Sequence, residues 1–438
     1  MIQHYIMAVR DSVWSLPFLA FIVVVGCTLT VALRFIQFRC FFKSWQLVSG
    51  SDKKDGAGKG DMSPFQAFLN ALSVSIGNGA LAGVATAVYM GGPGTAFWMF
   101  VVGLLGMVLR FAEVFLGVSF SVSRGAARLG GPFLYISQLP FGTALAYTYA
   151  VACLLYGLMS GNAMQCNSIA TALHQSAGIS VFATAIGLGL FVLYVLLGGA
   201  QRIIKISEFI VPFKVGLFFS SMLYVLLYYA AELPAALRLI FQAAFEPGAV
   251  IGCMFGICLQ RIIAVSVSRT INASESGLGT AAVFYGNTGS TQPLNDGIAS
   301  MLSTFISNNL VSCMVALAMV VSGVWNGGLD GAAMVVEAYK TVFGAWGGFI
   351  VSALSISFGL GVFVAYGYIT RQCWLYVTRG KFESLFVAVF TSISMVGAVM
   401  SIQAVWALVD IGVAACLFIN LLALMYLIPY MRKHVLNV

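Results

Sequence analysis

Charge is what this chain has least of. Only 8% of its residues are Asp, Glu, Lys or Arg, where soluble domains carry about a quarter, so a solvated globular surface is excluded. Histidine is scarcer still: His4, His174 and His434 lie near span ends or termini, which leaves no histidine cluster for catalysis. The nine cysteines form no CxxC pair; they read as small apolar packing residues, with no disulfide framework or zinc site implied. No HExxH occurs and Ser75 has no evident base, so polytopic membrane enzymes, which need an acid–base set, a nucleophile or a metal, are disfavoured. A channel or a membrane sensor stays open as a different class.

Apolar sequence is present in abundance. Hydrophobic residues make up 60% of the 438, and mean hydropathy is +0.97. At roughly 20 apolar residues per crossing, eleven spans are expected: 16–38, 64–90, 94–122, 142–173, 179–199, 203–231, 247–268, 296–322, 345–370, 383–402 and 404–430. The first is too long for a signal-peptide core and has no small-residue cleavage site, so it is expected to stay. The whole of 1–438 reads as one integral domain in a lipid bilayer.

The net charge of +8 would suit nucleic acid, but its distribution argues for orientation instead. Seventeen of the 22 Lys and Arg fall in or beside every second loop, from Arg34–Lys59 to Arg432 and Lys433. The opposite loops hold only Arg10, Arg238 and Lys340. This positive-inside pattern expects the N-terminus outside and the C-terminus in the cytoplasm, and no nucleic-acid partner. No obligate protein partner is evident. Arg110 and Lys214 fall inside spans.

The segment SIGNGALAG, Ser75 to Gly83, interrupts the second span with three glycines. That span opens with a start signal, Ser63-Pro64 with Gln66 completing a capping box. Irregular backbone at membrane depth survives only where protein buries it or it lines a cavity, and carriers present such breaks to small polar solutes. A second glycine-interrupted stretch, Gly248 to Gly256, is expected to break the seventh span. Gly77-x-Gly79 lacks the strand and acidic residue of a dinucleotide fingerprint. Close packing of helices through small residues is the bland alternative; Asn78, a polar side chain between two glycines, favours a solute-binding break.

The run Phe65 to Phe100, FQAFLNALSVSIGNGALAGVATAVYMGGPGTAFWMF, resembles the signature of the alanine/glycine:cation symporters (sodium:alanine symporter-like), which carry GxGNIAGVA followed by GGPGAxFWMW. The similarity continues through Arg110-Phe-Ala-Glu113, Gly130-Gly-Pro-Phe-Leu-Tyr-Ile, Asn162-Ala-Met-Gln165-Cys-Asn167, Gly198-Gly-Ala-Gln-Arg202, Val211-Pro-Phe, Glu275-Ser-Gly-Leu-Gly-Thr-Ala, and Trp406 with Asp410. The resemblance implies an all-α membrane protein of the leucine-transporter type. Its 5+5 inverted repeat, with two discontinuous helices, would occupy 62–231 and 245–431, after an extra N-terminal helix in 1–45. It also implies a bacterial inner-membrane carrier of small neutral amino acids working by alternating access, coupled to sodium or protons, with no other cofactor and no bound metal beyond that ion.

On that reading the amides of Gly77, Asn78, Gly79 and Ala80 hold the substrate carboxylate, and Asn162 and Gln165 add polar contacts. Carbonyls near Gly252 receive the ammonium, and Met254, Phe255 and Phe363 wall the side-chain pocket. Departures cluster here. The family GTGN, SNEAG and FIDT read Gly77-Asn78-Gly79-Ala80, Ala273-Ser274-Glu275-Ser276-Gly277 and Phe305-Ile306-Ser307-Asn308. The hydroxyl pair that serves bound sodium falls on Phe358 and Gly359, so Ser355 or Ser357, with Ser75, would have to stand in.

Lys214 is the outlier, an ammonium where the family is apolar. Related sodium-independent carriers place a lysine where sodium otherwise binds, which implies Lys214 as a surrogate cation, able also to release a proton during the cycle. A lysine snorkelling to the cytoplasm is the alternative. Arg110 and Glu113 are expected to neutralise each other at i, i+3. Asp410 is expected to make a helix-packing hydrogen bond, Glu208 to snorkel or to pair with Lys205, and Glu275 to cap or gate a cytoplasmic loop after the seventh span.

Overall fold

A computed structural model describes residues 14–50, 60–124, 127–245, 255–400 and 402–435. Among the described residues the regular structure is helical, apart from one short antiparallel ribbon, β1 (Val122–Arg124) and β2 (Ala127–Leu129). That ribbon was not expected from composition. Among the described residues five helices are long and apolar enough to cross a membrane, or up to seven if each of two bent pairs is one span. Four shorter apolar helices accompany them.

α1 (Leu16–Ala32) and the short α2 (Phe41–Ser49) lead to α3 (Pro64–Ser75). The capping box forms as expected: the Ser63 side chain accepts from Gln66 N at 3.2 Å and Gln66 Oε1 accepts from Ser63 N at 2.7 Å. After a break come a π-helical turn, Gly79–Gly83, and α4 (Val84–Gly91). The two halves of this span are bent by 51°. α5 (Gly94–Ser119) follows, then the ribbon and α6 (Pro132–Ile136).

α7 (Gly142–Tyr156) passes through the π-helical Gly157–Ala163 into α8 (Met164–Ala177). Gly178, at φ +67°, ends α8: its N–H bonds His174 O while Ile179 N reaches Leu173 O, the left-handed stop that glycine adopts without strain. α9 (Val181–Leu197) and α10 (Gly199–Tyr228) complete the first half. Next comes a helix in the stretch that hydropathy leaves between spans 203–231 and 247–268, α11 (Leu233–Phe245). It lies on α5, where Phe97 meets Phe241 and Phe245 at 5.4 and 5.0 Å and Trp98 Nε1 donates to Ala244 O.

α12 (Phe255–Ser274) and α13 (Thr280–Gly286) flank a five-residue interruption. α14 (Pro293–Thr304) runs through the π-helical Phe305–Ser312 into α15 (Cys313–Val321). α16 (Gly331–Phe343), α17 (Trp346–Val377), α18 (Glu383–Val399), α19 (Ile402–Tyr426) and α20 (Ile428–Val435) finish the chain.

Packing sorts the helices into two groups. α3, α5, α12, α13 and α14 pack on one another, while α7, α8, α9, α17 and α18 form a second set, and α10 touches both through α3 and α17. Both interruptions lie in the first group. At the end of the seam between the groups, Asp61 just before α3 accepts from Tyr368 Oη at 2.8 Å and Gln372 Nε2 at 3.4 Å of α17. Its backbone carbonyl accepts from Gln201 Nε2 at 3.0 Å.

Candidate functional site

The first break starts where α3 stops. Ile76 N still bonds Leu72 O, but among the described residues Gly77 N makes no backbone hydrogen bond. Gly77 is closely approached: a Cβ there would lie 2.7 Å from Val362 Cγ2 of α17, and that methyl would have to shift. Gly79 faces open space, with Asn272 O, at 3.9 Å, the single heavy atom a Cβ would meet. Asn78 between them is buried, accepts from Ser355 Oγ at 2.9 Å and donates to Gln165 Oε1 at 3.2 Å. The pair of side chains from α17 and α8 thus fixes the polar face of the break.

The expected break at Gly248–Gly256 lies almost wholly outside the described residues, and the break that the structure describes stands at the other end of this helix. Gly252 and Met254 lie outside the described residues, and Phe255 opens α12. The helix ends twenty residues on, at Ser274, and residues 275–279 are non-helical. Glu275, Gly277 and Gly279 all have positive φ, +54°, +94° and +87°. Glu275 therefore does not sit on a cytoplasmic loop: it is 4% exposed, inside this break. The polar run Ser274–Gly279 reads as a surface loop only if its partners, which come from distant helices, are ignored. Tyr156 Oη of α7 and Tyr366 Oη of α17 both donate to Glu275 Oε1, the former at 3.1 Å, and Thr280 donates to Oε2 at 3.0 Å. Gly161 leaves room for Tyr366, whose ring occupies the place of a Cβ.

Arg110 joins the breaks. Its Nη2 donates to Ser274 O at 2.5 Å and to Ser75 Oγ at 3.4 Å, and Nε reaches Thr304 Oγ1 at 3.3 Å. A guanidinium is well suited to helix C-terminal carbonyls, which carry partial negative charge. Ser75 Oγ lies 3.0 Å from Ser274 O and 2.9 Å from Ala71 O of its own helix, so its one proton is shared between the two carbonyls. The expected ion pair is present, with Arg110 Nη1 and Glu113 Oε2 3.6 Å apart and both residues buried. Glu113 Oε1 accepts from Gly279 N at 2.8 Å and from Asn420 Nδ2 at 3.1 Å.

Lys214, midway along α10, is fully buried and does not snorkel. Its Nζ donates to Ser73 O at 2.7 Å, Ile76 O at 2.8 Å and Ser73 Oγ at 3.3 Å. Three donors meet three acceptors, two of them carbonyls that the end of α3 leaves open. Gly361 of α17 abuts it: a Cβ there would lie 2.6 Å from Nζ. The Phe358 ring stands 5.8 Å away.

Other expected residues fall to one side. Asn162 Nδ2 donates to Phe390 O at 2.8 Å, and Phe363 stacks on Phe390 at 5.8 Å, so both face α18. Ser357 bonds its own helix at Leu354 O. Gly359 packs against Ile169 and Asn78. Ala80 is buried in the π-helical turn, its N–H on Gly77 O. Asp410 lies in α19. Glu208 is bonded by Gln66 Nε2 at 2.8 Å, a helix-to-helix contact in place of the expected local one.

Residues 1–437 match the profile of the sodium:alanine symporter family. A transporter of undefined activity from Haemophilus influenzae is 32% identical over 97% of this chain and 93% of its own length. The chain belongs to the sodium:alanine symporter family. The sodium/alanine symporter AgcS of Methanococcus maripaludis is 29% identical over 96% of this chain and 93% of its own length. Among solved structures, MhsT in complex with L-phenylalanine aligns over 85% of this chain and 97% of its own, with a TM-score of 0.53 at 12% identity. A sodium-coupled sialic acid symporter aligns over 96% and 85%, with a TM-score of 0.52 at 11% identity. These last two establish the fold, of the leucine-transporter type. A member of the sodium:alanine symporter family is a multi-pass membrane protein for amino-acid transport, and not an enzyme.

The family resemblance pointed to the break at Gly77–Ala80 and to Arg110, Glu113 and Gln165. It gave no role to Tyr156, Tyr366, Thr304 or Asn420. A tyrosine in an apolar span carries no mark of what its hydroxyl meets.

Proposed function

We propose that this chain carries small neutral amino acids of the alanine and glycine type across the bacterial inner membrane by alternating access. Its two inverted repeats span 62–231 and 245–431, with the N-terminus outside and the C-terminus in the cytoplasm. The observation that carries this reading is the meeting of the two buried breaks, Ser75 Oγ on Ser274 O at 3.0 Å. Between them lie the ingredients for a zwitterion: a free Gly77 N–H and the start of a helical turn for the carboxylate, and open space beside Gly79, Asn78 and Asn272 O. Val362, against Gly77, favours a short side chain. The names of relatives, a sodium/alanine symporter and one described as a probable sodium/glutamine symporter, support an amino-acid substrate.

Lys214 stands in this reading for the sodium ion. A fixed ammonium on the Ser73 and Ile76 carbonyls does what a bound cation would do, holding the end of α3 against α10 and α17. Uptake would then be independent of sodium. The family match itself favours the second reading, an ordinary sodium-coupled symporter. Counterflow and uptake of labelled alanine in proteoliposomes, in sodium and in choline media, separates them. Uptake surviving in choline supports the first; strict sodium dependence supports the second; no alanine counterflow in either medium refutes the substrate.

A further inference from the structure

The buried ionisable groups beside the breaks have partners of different kinds. Lys214 has three acceptors for its three protons, an arrangement that fits the ammonium. Glu113 is met by a backbone N–H, an amide and the Arg110 guanidinium. The N–H and the guanidinium can only donate, and the Asn420 amide is held with its Nδ2 toward Glu113 because Nδ2 also donates to Gly277 O and Oδ1 accepts from Tyr135, so these groups fit the carboxylate and have nothing to accept from a carboxylic acid. Glu275 is different. All three of its partners are hydroxyls, Tyr156, Tyr366 and Thr280, and a hydroxyl donates or accepts by rotation. The same pocket therefore fits the carboxylate, with three hydroxyls donating, and the acid, with one of them turned to accept.

Charge and position add to this. Among the described residues no basic group lies within ion-pair distance of Glu275. The titratable groups that face it are Tyr156 of α7, Tyr366 of α17, the Cys416 thiol of α19 and Arg110 of α5, the last already bound to Glu113 and Ser274. A buried carboxylate without a counter-charge is costly. Asp296, a further buried acid, sits in the first turn of α14, where a helix N-terminus favours its charge. Glu275 also lies on the seam: it belongs to the group of α12 and α13, while both tyrosines belong to the other group.

We propose that Glu275 binds and releases the coupling proton of transport. With the seam closed it holds a proton taken from external water, as the O–H of a carboxylic acid bonded among the hydroxyls. When the two groups part, Tyr156 and Tyr366 leave, cytoplasmic water reaches the carboxyl, and the O–H bond breaks to release the proton there. One proton enters with each substrate. This rests on the sodium-independent reading above.

The test uses the full chain in proteoliposomes containing a pH-sensitive dye, with alanine as substrate in choline medium. Wild type should acidify the lumen as alanine enters, and Glu275→Gln, neutral and of the same shape, should lose that acidification together with alanine accumulation driven by a pH gradient. Because the Gln variant could fail to fold, Tyr366→Phe gives a second measurement. Removing a donor to the carboxylate makes its proton harder to lose, so the midpoint of the uptake–pH profile should move to higher pH. Lumen acidification by Glu275→Gln at the wild-type proton-to-alanine ratio overturns the proposal. So does an unshifted profile in active Tyr366→Phe, or wild-type uptake without sodium and without proton movement. Wild-type uptake that stops without sodium instead refutes the reading of Lys214.

Discussion

Ser75 and Ser274, 199 residues apart, are hydrogen-bonded at 3.0 Å, Oγ to carbonyl. Each is the last residue of its helix, α3 and α12, so the two helices that lead into the breaks are tied to each other at their C-terminal ends. Arg110 reinforces the tie from α5 by donating to the same carbonyl and the same hydroxyl. The two breaks therefore form one unit in which neither geometry is independent of the other.

Replacing Arg110 should expose how much that unit depends on one side chain. Arg110→Met leaves the Glu113 charge buried without its partner, which costs about 3–5 kcal/mol. Ser274 O also loses a donor. Thermal unfolding of the purified protein should show a large fall in Tm and uptake should be lost. Arg110→Met combined with Glu113→Gln should recover much of the stability, and no recovery would show that the pair is not what Arg110 serves.

Gly77 and Gly79 should behave differently although two residues apart. Gly77→Val drives a side chain into Val362, so both assembly and uptake should suffer. Gly79→Val points into open space and should insert and fold normally, yet abolish uptake by filling the place of the solute. Surface abundance and labelled-alanine uptake, measured together, decide it: normal uptake by Gly79→Val leaves that space without a substrate.

Lys214→Ala strips donors from two carbonyls at the end of α3, at about 1–3 kcal/mol for each buried group left unsatisfied. Uptake in choline medium should disappear. Lys214→Met that still transports, in a protein whose wild type needs sodium, would restore the ordinary family mechanism.

The features that could be read from sequence are those that violate the character of their own neighbourhood. Gly77 and Gly79 stand out in a span otherwise built for a helix, Lys214 in a run of apolar residues, and Arg110 with Glu113 at a spacing that lets them meet on one face. Glu275 violates nothing locally. Ser-Glu-Ser-Gly-Leu-Gly has the composition of an exposed turn, and its burial comes from Tyr156 and Tyr366, 119 and 91 residues away. α11 was missed for a related reason. Its 13 residues are too few to span a bilayer, and its helicity is stabilised by aromatic packing on Phe97 and Trp98, outside its own sequence.

The bonds around Asp61 set a thermodynamic scale for movement between the two groups of helices. Tyr368, Gln372 and Gln201 all reach that one residue. Hydrogen bonds of this kind contribute about 0.5–1.5 kcal/mol each, and somewhat more to a charged acceptor. Together they would favour the closed arrangement by a few kcal/mol, roughly a hundredfold in population at about 1.4 kcal/mol per factor of ten. A solute can shift that balance only by the difference between its affinities for the two arrangements. One that bound both equally well would leave the balance where it stands without it, however tightly it bound.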